Sequence, residues 1–216
     1  MEEMLILLKP DGIVRRYSGA RALKNILDLE LEIKFFNIIK PKKEFLSDKH
    51  YVEHKGKFFY DNLVNFMSAT ELAVIIASGD NVVEKVRTLL GKTMCEKADP
   101  LSIRGRYGTT KGINLVHASD SNETAEKEVK LWKEIIDIEE AKNYKKEMEA
   151  YIKTYENFPM IDSVRYREIS KDLSENKISK EDAEKIMGEL LTKETDFDEE
   201  TVSKLPALII ENVLLG

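Results

Sequence analysis

Cysteine, tryptophan and proline are scarce: 216 residues hold one Cys, one Trp and five Pro. A lone cysteine closes no internal disulfide, so a disulfide-stapled scaffold is excluded and a reducing compartment is expected. Cys95 itself reads as an incidental thiol in a loop. Ten glycines without a fixed period exclude a collagen-like chain. No apolar run approaches the roughly 20 residues that span a bilayer, and Met4 to Leu8 already stops at Lys9. A soluble chain with no membrane partner is expected. Met1-Glu2-Glu3 opens acidic, with no basic segment leading into an apolar stretch and a small-residue cleavage site, so the expected localisation is cytoplasmic. Two phosphate-binding signatures are also missing, Gly-x-x-x-x-Gly-Lys-Ser/Thr and Gly-x-Gly-x-x-Gly. Their absence argues against the two commonest nucleotide folds.

What is present is a globular composition, 42% apolar and 34% charged, long enough to bury a sizeable core in one or two domains. The net charge of −6 argues against a general nucleic-acid binder, which needs clustered cations. That charge is unevenly spread. Residues 1–136 carry 22 basic and 20 acidic side chains, a balance of +2, whereas residues 137–216 carry 12 and 20, a balance of −8. All three histidines, the Cys, the Trp and eight of the ten glycines also precede residue 137. The chemistry is therefore expected upstream of it.

Patterning predicts strands at Met4–Leu8, Glu32–Ile39, Leu72–Ala77 and Asn114–His117. Helices are predicted at about Ser18–Leu29, Leu46–Lys55, Asp61–Met67 and Asn81–Leu90, with another opening at Ser121. A long glycine-dotted loop is predicted from Gly91 to Ile113. Alternation of this kind implies layered α and β, and leaves open whether the sheet is parallel or antiparallel. Residues 139–216 read as wholly helical: Tyr144–Tyr155, Ile161–Leu173, a helix started by Ser179 and Asp182, and a last apolar segment from Leu205 that contains Pro206.

His117 is the sharpest candidate. It ends a predicted strand just before a helix N-terminus, in Asn114-Leu-Val-His-Ala-Ser-Asp-Ser121. Neutral imidazole is a nucleophile near pH 7, able to accept and pass on a phosphoryl group. The free N–H groups of the adjacent helix start favour an anion. Phosphoryl transfer needs cations aimed at phosphate oxygens, and Lys9, Arg87 and Arg104 are candidates. His50 and His54 have the spacing of a zinc-binding pair on one helical face, but no third ligand is evident, so a metal site is not expected. The segment His50-Tyr-Val-Glu-His-Lys55 reads instead as a polar helix that turns Tyr51 toward something functional.

In order along the chain stand Lys9-Pro-Asp-Gly12, His50-Tyr-Val-Glu-His-Lys55, Leu90-Gly-Lys-Thr93, Ile103-Arg-Gly105 and the segment around His117, followed by Ala125-Glu-Lys-Glu128 and Leu131-Trp132. Through these pieces the chain resembles the nucleoside diphosphate kinases over about residues 3–135. The resemblance implies a ferredoxin-like βαββαβ core with an antiparallel four-stranded sheet, and a homo-oligomer; the all-helical C-terminal extension read from the pattern lies beyond it. It implies ping-pong transfer of a γ-phosphate from a nucleoside triphosphate such as ATP to a nucleoside diphosphate through phospho-His117, with Mg2+ carried by the nucleotide. Lys9, Tyr51, Arg104 and Asn114 would then surround the transferred phosphate or ribose, Arg87 and Thr93 would hold the other phosphates, and Phe59 would stack on the base. Glu128, supported by Ser119, would orient the imidazole. The implied division is a kinase core at residues 1–138 and a helical extension at 139–216.

Several positions depart from the family pattern. Ala118 stands for a usual Gly, Phe58 for Pro, Arg106 for Asp and Ile113 for Arg; Lys111 replaces a small apolar residue near the base, and Ala69-Thr-Glu71 a Ser-Gly-Pro. None removes a group assigned to chemistry. The extension leaves an alternative, a kinase-fold scaffold whose tail recruits a partner. Its stripe of Ala183, Ile186, Met187, Leu190 and Leu191 has the ordinary spacing of a core-facing helix, which favours packing on the chain's own core.

Overall fold

Runs that are apolar at consecutive positions must be buried on both faces, and the two such runs lie side by side at the centre of the sheet in the computed structural model, which describes residues 1–215. They are β1 (Glu2–Leu8) and β3 (Leu72–Gly79), antiparallel, with Leu5 opposite Ile76. The edges are β2 (Glu32–Ile39), paired to β3, and β4 (Val116–Ala118), paired to β1. The order β2-β3-β1-β4 with antiparallel pairing throughout is the expected ferredoxin-like sheet.

Local departures from the sequence reading have identifiable causes. Pro10 and Gly12 read as a strand stop, yet they open α1 (Pro10–Val14), since proline suits the first helical turn, where its N–H is not needed. α2 (Arg16–Leu27) follows at once, and a Cβ on Gly19 would lie 2.0 Å from the Gly12 carbonyl, so only glycine allows the two helices to meet. The 46–55 region is not one helix. A short α3 (Lys43–Phe45) runs into a π-turn at Leu46–His50 and a 3-10 turn at Val52–His54, which breaks the one-face spacing of His50 and His54. α4 (Tyr60–Met67) and α5 (Val82–Leu90) fall where expected.

The Gly91–Ile113 loop contains α6 (Ile103–Tyr107), capped by Ser102 Oγ accepting from Gly105 N. Within that helix position 105 must be glycine, because the Asp99 carbonyl lies 1.9 Å from where a Cβ would be. Cys95 is no surface thiol: it is buried, its Sγ donates to the Lys111 carbonyl at 3.2 Å, and burial pushes it up to about 12. The last strand starts two residues later than predicted, because Leu115 has φ 69° and interrupts the extended run. Ser121 caps α7 (Asn122–Trp132), as read.

The C-terminal residues form α8 (Tyr144–Tyr155), α9 (Ser163–Ser174), α10 (Lys180–Lys193), α11 (Glu199–Ser203) and α12 (Leu205–Leu214), with Ser179 capping α10 and Pro206 in the first turn of α12. α8 lies on β2 and α2, with the Phe35 and Tyr144 rings 5.1 Å apart and those of Phe36 and Tyr151 5.9 Å apart. Ala183, Met187 and Leu191 are buried in the same hydrophobic cluster as the sheet, and Ile186 and Leu190 pack against it. The stripe thus faces the chain's own core.

Two consecutive arginines of the first third fasten the last. Arg15, fully buried, donates to Glu194 at 2.9 Å, to the Tyr107 carbonyl at 2.7 Å and to Ser163 Oγ at 3.0 Å. Burial disfavours its charge, but Glu194, Tyr166 and Asp11 together offset this and the net shift is upward. The Tyr166 hydroxyl donates to the same carboxylate. Arg16 pairs with Asp196 at 2.6 Å and lies over the rings of Tyr155 and Phe197, 4.4 and 4.2 Å from their centroids. Among the described residues no helix is long and apolar enough to cross a membrane.

Candidate active site

β4 sets His117 opposite Leu7 at the sheet edge, half-buried, where it lines a cavity of about 550 Å³. Its Nε2 lies 2.9 and 3.1 Å from the two carboxylate oxygens of Glu128 on α7. Ser119 Oγ donates to Glu128 at 2.6 Å. Burial would raise the Glu128 carboxyl, but the attraction and hydrogen bond of His117, helped by His50 and Ser119, hold it below its ordinary value. An ionised carboxylate only accepts, so Nε2 is the donor of this pair, and in a neutral imidazole the lone pair then falls on Nδ1.

Behind His117 stands His50, its ring 5.1 Å away and its side chain 1% exposed. Trp132 Nε1 donates to His50 Nδ1 at 3.2 Å. Burial, reinforced by His117, pushes His50 down to about 3, so it stays neutral beside His117. Tyr51 is buried with its ring 6.4 Å from His117, and burial raises its phenol.

The cations come from three directions. Lys9, between β1 and α1, donates Nζ to the Gly112 carbonyl at 2.8 Å, and burial, with Arg104 adding repulsion, lowers it to about 8. Arg104 in α6 donates to the carbonyls of Gly91 at 3.0 Å and Val116 at 2.8 Å, its Nε has no partner, and burial lowers it to about 10. Arg87 is exposed on α5 and faces the cavity mouth. Asn114 donates Nδ2 to the Thr93 carbonyl at 2.7 Å and keeps a buried, unpartnered Oδ1.

Lys9, Tyr51, Phe59, Arg87, Thr93, Arg104, Asn114, His117 and Glu128 all line this one cavity, and Ser119 stands behind Glu128. Phe59, at the start of α4, forms its apolar end with Leu63. The departures are also accounted for in part. Ala118 and Phe58 line the cavity, Arg106 sits over the Tyr107 ring, Ile113 is buried, and Lys111 turns its Nζ to the Val213 carbonyl. Sequence reasoning did not foresee Asn212 and Leu215 on the lining. Only the aim of the last helix brings them there, and no local motif signals that.

Among the described residues His50, His117 and Glu128 are the one group whose ligand atoms cluster, within 4.8 Å. With Glu128 already engaged and two imidazoles in the set, it is no oxygen cage for magnesium. The carboxylate of Asp120 also stands on the cavity lining.

The family model for nucleoside diphosphate kinase matches residues 2–136. A nucleoside diphosphate kinase of Methanocaldococcus jannaschii is 39% identical over 131 residues, 61% of this chain and 92% of its own length. One of Staphylococcus epidermidis is 37% identical over 143 residues, 65% of this chain and 95% of its own. The apo crystal structure of the Encephalitozoon cuniculi nucleoside diphosphate kinase superimposes with a TM-score of 0.59 at 33% identity, covering 68% of this chain and 98% of that one. For the Aquifex aeolicus enzyme the TM-score is 0.56 at 32% identity, with 61% and 94% covered.

Proposed function

This chain belongs to the nucleoside diphosphate kinase family of phosphotransferases, and from that premise we propose a ping-pong mechanism through His117. The observation that carries it is the pairing of His117 Nε2 with Glu128, which leaves Nδ1 with a lone pair at the wall of a cation-lined cavity. Nδ1 attacks the γ-phosphorus of a nucleoside triphosphate, the bond from that phosphorus to the β,γ-bridging oxygen breaks, and the diphosphate leaves. The positive charge then gained by the imidazole is stabilised by Glu128, held in place by Ser119. An incoming diphosphate reverses the step, its terminal oxygen taking the phosphoryl group and restoring Nδ1.

Lys9 and Arg104 face the transferred phosphate, Tyr51 and Asn114 position it and the ribose, Arg87 and Thr93 hold the remaining phosphates, and Phe59 stacks on the base. Magnesium, carried by the nucleotide, offsets phosphate charge. Self-association, a cytoplasmic setting, and a division into core 1–138 and extension 139–216 belong to the same proposal and rest on the family likeness. Incubation with γ-labelled ATP is expected to give an acid-labile, alkali-stable phosphoprotein that His117→Ala abolishes. Labelling that persists in the variant would overturn the assignment.

A further inference from the structure

Beyond the family match, α12 ends at the nucleotide cavity. Leu208, Asn212 and Leu215 stand at i, i+4 and i+7, the spacing of one helical face. Asn212 and Leu215 line the cavity, while Leu208 is partly buried against the core. Two hydrogen bonds dock this helix, and both use its backbone. Asn62 on α4 donates Nδ2 to the Leu208 carbonyl at 3.3 Å, and Lys111 donates Nζ to the Val213 carbonyl, one of the last-turn carbonyls that a helix leaves without an internal partner. The half-buried amide of Asn212 takes part in neither.

The cavity lining is chemically mixed: it holds the cations Lys9 and Arg104 together with the apolar side chains of Phe59, Leu63 and Leu215. Lys111 is engaged with α12, so the charge nearest that helix is already answered. A neutral amide pairs one acceptor oxygen with a two-hydrogen donor, the combination that the edge of a nucleobase matches.

We propose that Asn212 is a specificity-determining residue that reads the hydrogen-bonding edge of the bound nucleobase. The inference rests on the nucleotide reading of this cavity. An aromatic face accepts every base alike, whereas an amide that donates to a carbonyl or accepts from an exocyclic amine discriminates between them.

The test is equilibrium binding of ADP, GDP, CDP and UDP, each with magnesium, to the full chain and to its Asn212→Ala and Asn212→Asp variants. A carboxylate keeps the acceptors and loses the donor. Asn212→Asp is therefore expected to weaken the bases that present a carbonyl at that edge and strengthen those that present an N–H or exocyclic amine there, changing the ratio between the best- and worst-bound of the four by about tenfold, the scale of one hydrogen bond. Asn212→Ala, which replaces a weaker helix former by a stronger one and so protects the fold, is expected to compress the differences among the four. Affinities that move together, or not at all, overturn the inference. Phosphoenzyme formation is scored separately. A base-dependent split in a chain that ATP does not phosphorylate would remove the ping-pong reading and keep this one; a labelled chain with a uniform shift would do the reverse. If the unmodified chain binds none of the four, both fall.

Discussion

Arg167 on α9 holds the backbone of Arg104 from behind: its terminal nitrogen lies 3.1 Å from the Arg104 carbonyl, 2.9 Å from that of Gly105 and 2.8 Å from that of Gly108. One guanidinium nitrogen thus gathers the carbonyl end of α6, the short helix that carries a cavity arginine. Charge-assisted bonds of this kind are worth about 1.5–3 kcal/mol each when both partners are well placed. Arg167→Ala is expected to raise KM for both nucleotides by about tenfold with a smaller change in kcat, because it loosens a binding group and leaves His117 and Glu128 alone. Steady-state kinetics with a urea denaturation control check it; a loss confined to kcat would contradict it.

Glu128→Gln tests the charge on the nucleophile's partner. An amide oxygen still accepts from Nε2, so the imidazole keeps its orientation, but nothing neutralises the positive charge that phosphorylation creates. A fall in the phosphorylation rate on the order of 10²-fold is expected, with nucleotide affinity nearly constant. Rapid-quench measurement of phosphoenzyme formation separates the two.

Lys9 gives opposite pH trends for binding and stability. Its value is lowered from 10.5 to about 8, so between those limits the unfolded chain holds a proton that the folded chain has released. Stability therefore rises with pH across that window, by at most about 1.4 kcal/mol per pH unit from this one group. Phosphate binding falls over the same range as the cation is lost. Lys9→Met is expected to flatten both trends, as read by urea midpoints and nucleotide titration from pH 7 to pH 10.

Glu194→Ala would strand Arg15, whose side chain is wholly buried. Breaking a buried pair from one side costs about 3–5 kcal/mol. Glu194→Gln, which retains an acceptor for Arg15 and Tyr166, is expected to lose less. Urea unfolding of the two variants orders them.

The parts of this fold that were legible in the sequence have short-range causes. β2 shows as a β-rich run closed by Lys40-Pro41, Ser121 and Ser179 cap the helices they precede, and the stripe of α10 follows helical spacing. The motif around His117 marks out this histidine because Ser119 and Glu128, which surround it, are nearby in the chain. What was hidden depends on the path of the backbone or on distant partners. Gly105 read as loop because the approach of the Asp99 carbonyl shows only once the turn into α6 has formed, and Leu115 read as strand although its amide is held by Asp11 Oδ2 at 3.0 Å. Asn212 escaped notice because the contact that aims its helix, Lys111 to Val213, spans 102 positions.

The Arg15–Glu194 pair joins residues 179 positions apart. Bringing such distant segments together must be offset by many contacts formed at once, and topologies rich in them fold slowly. The sheet and His117 lie within the first two thirds of the chain, whereas the wall bearing Asn212 lies beyond the residues that Arg15 and Arg16 hold, and is expected to form after them. In refolding experiments this order would separate the recovery of phosphoryl acceptance from the recovery of base discrimination, the second lagging the first.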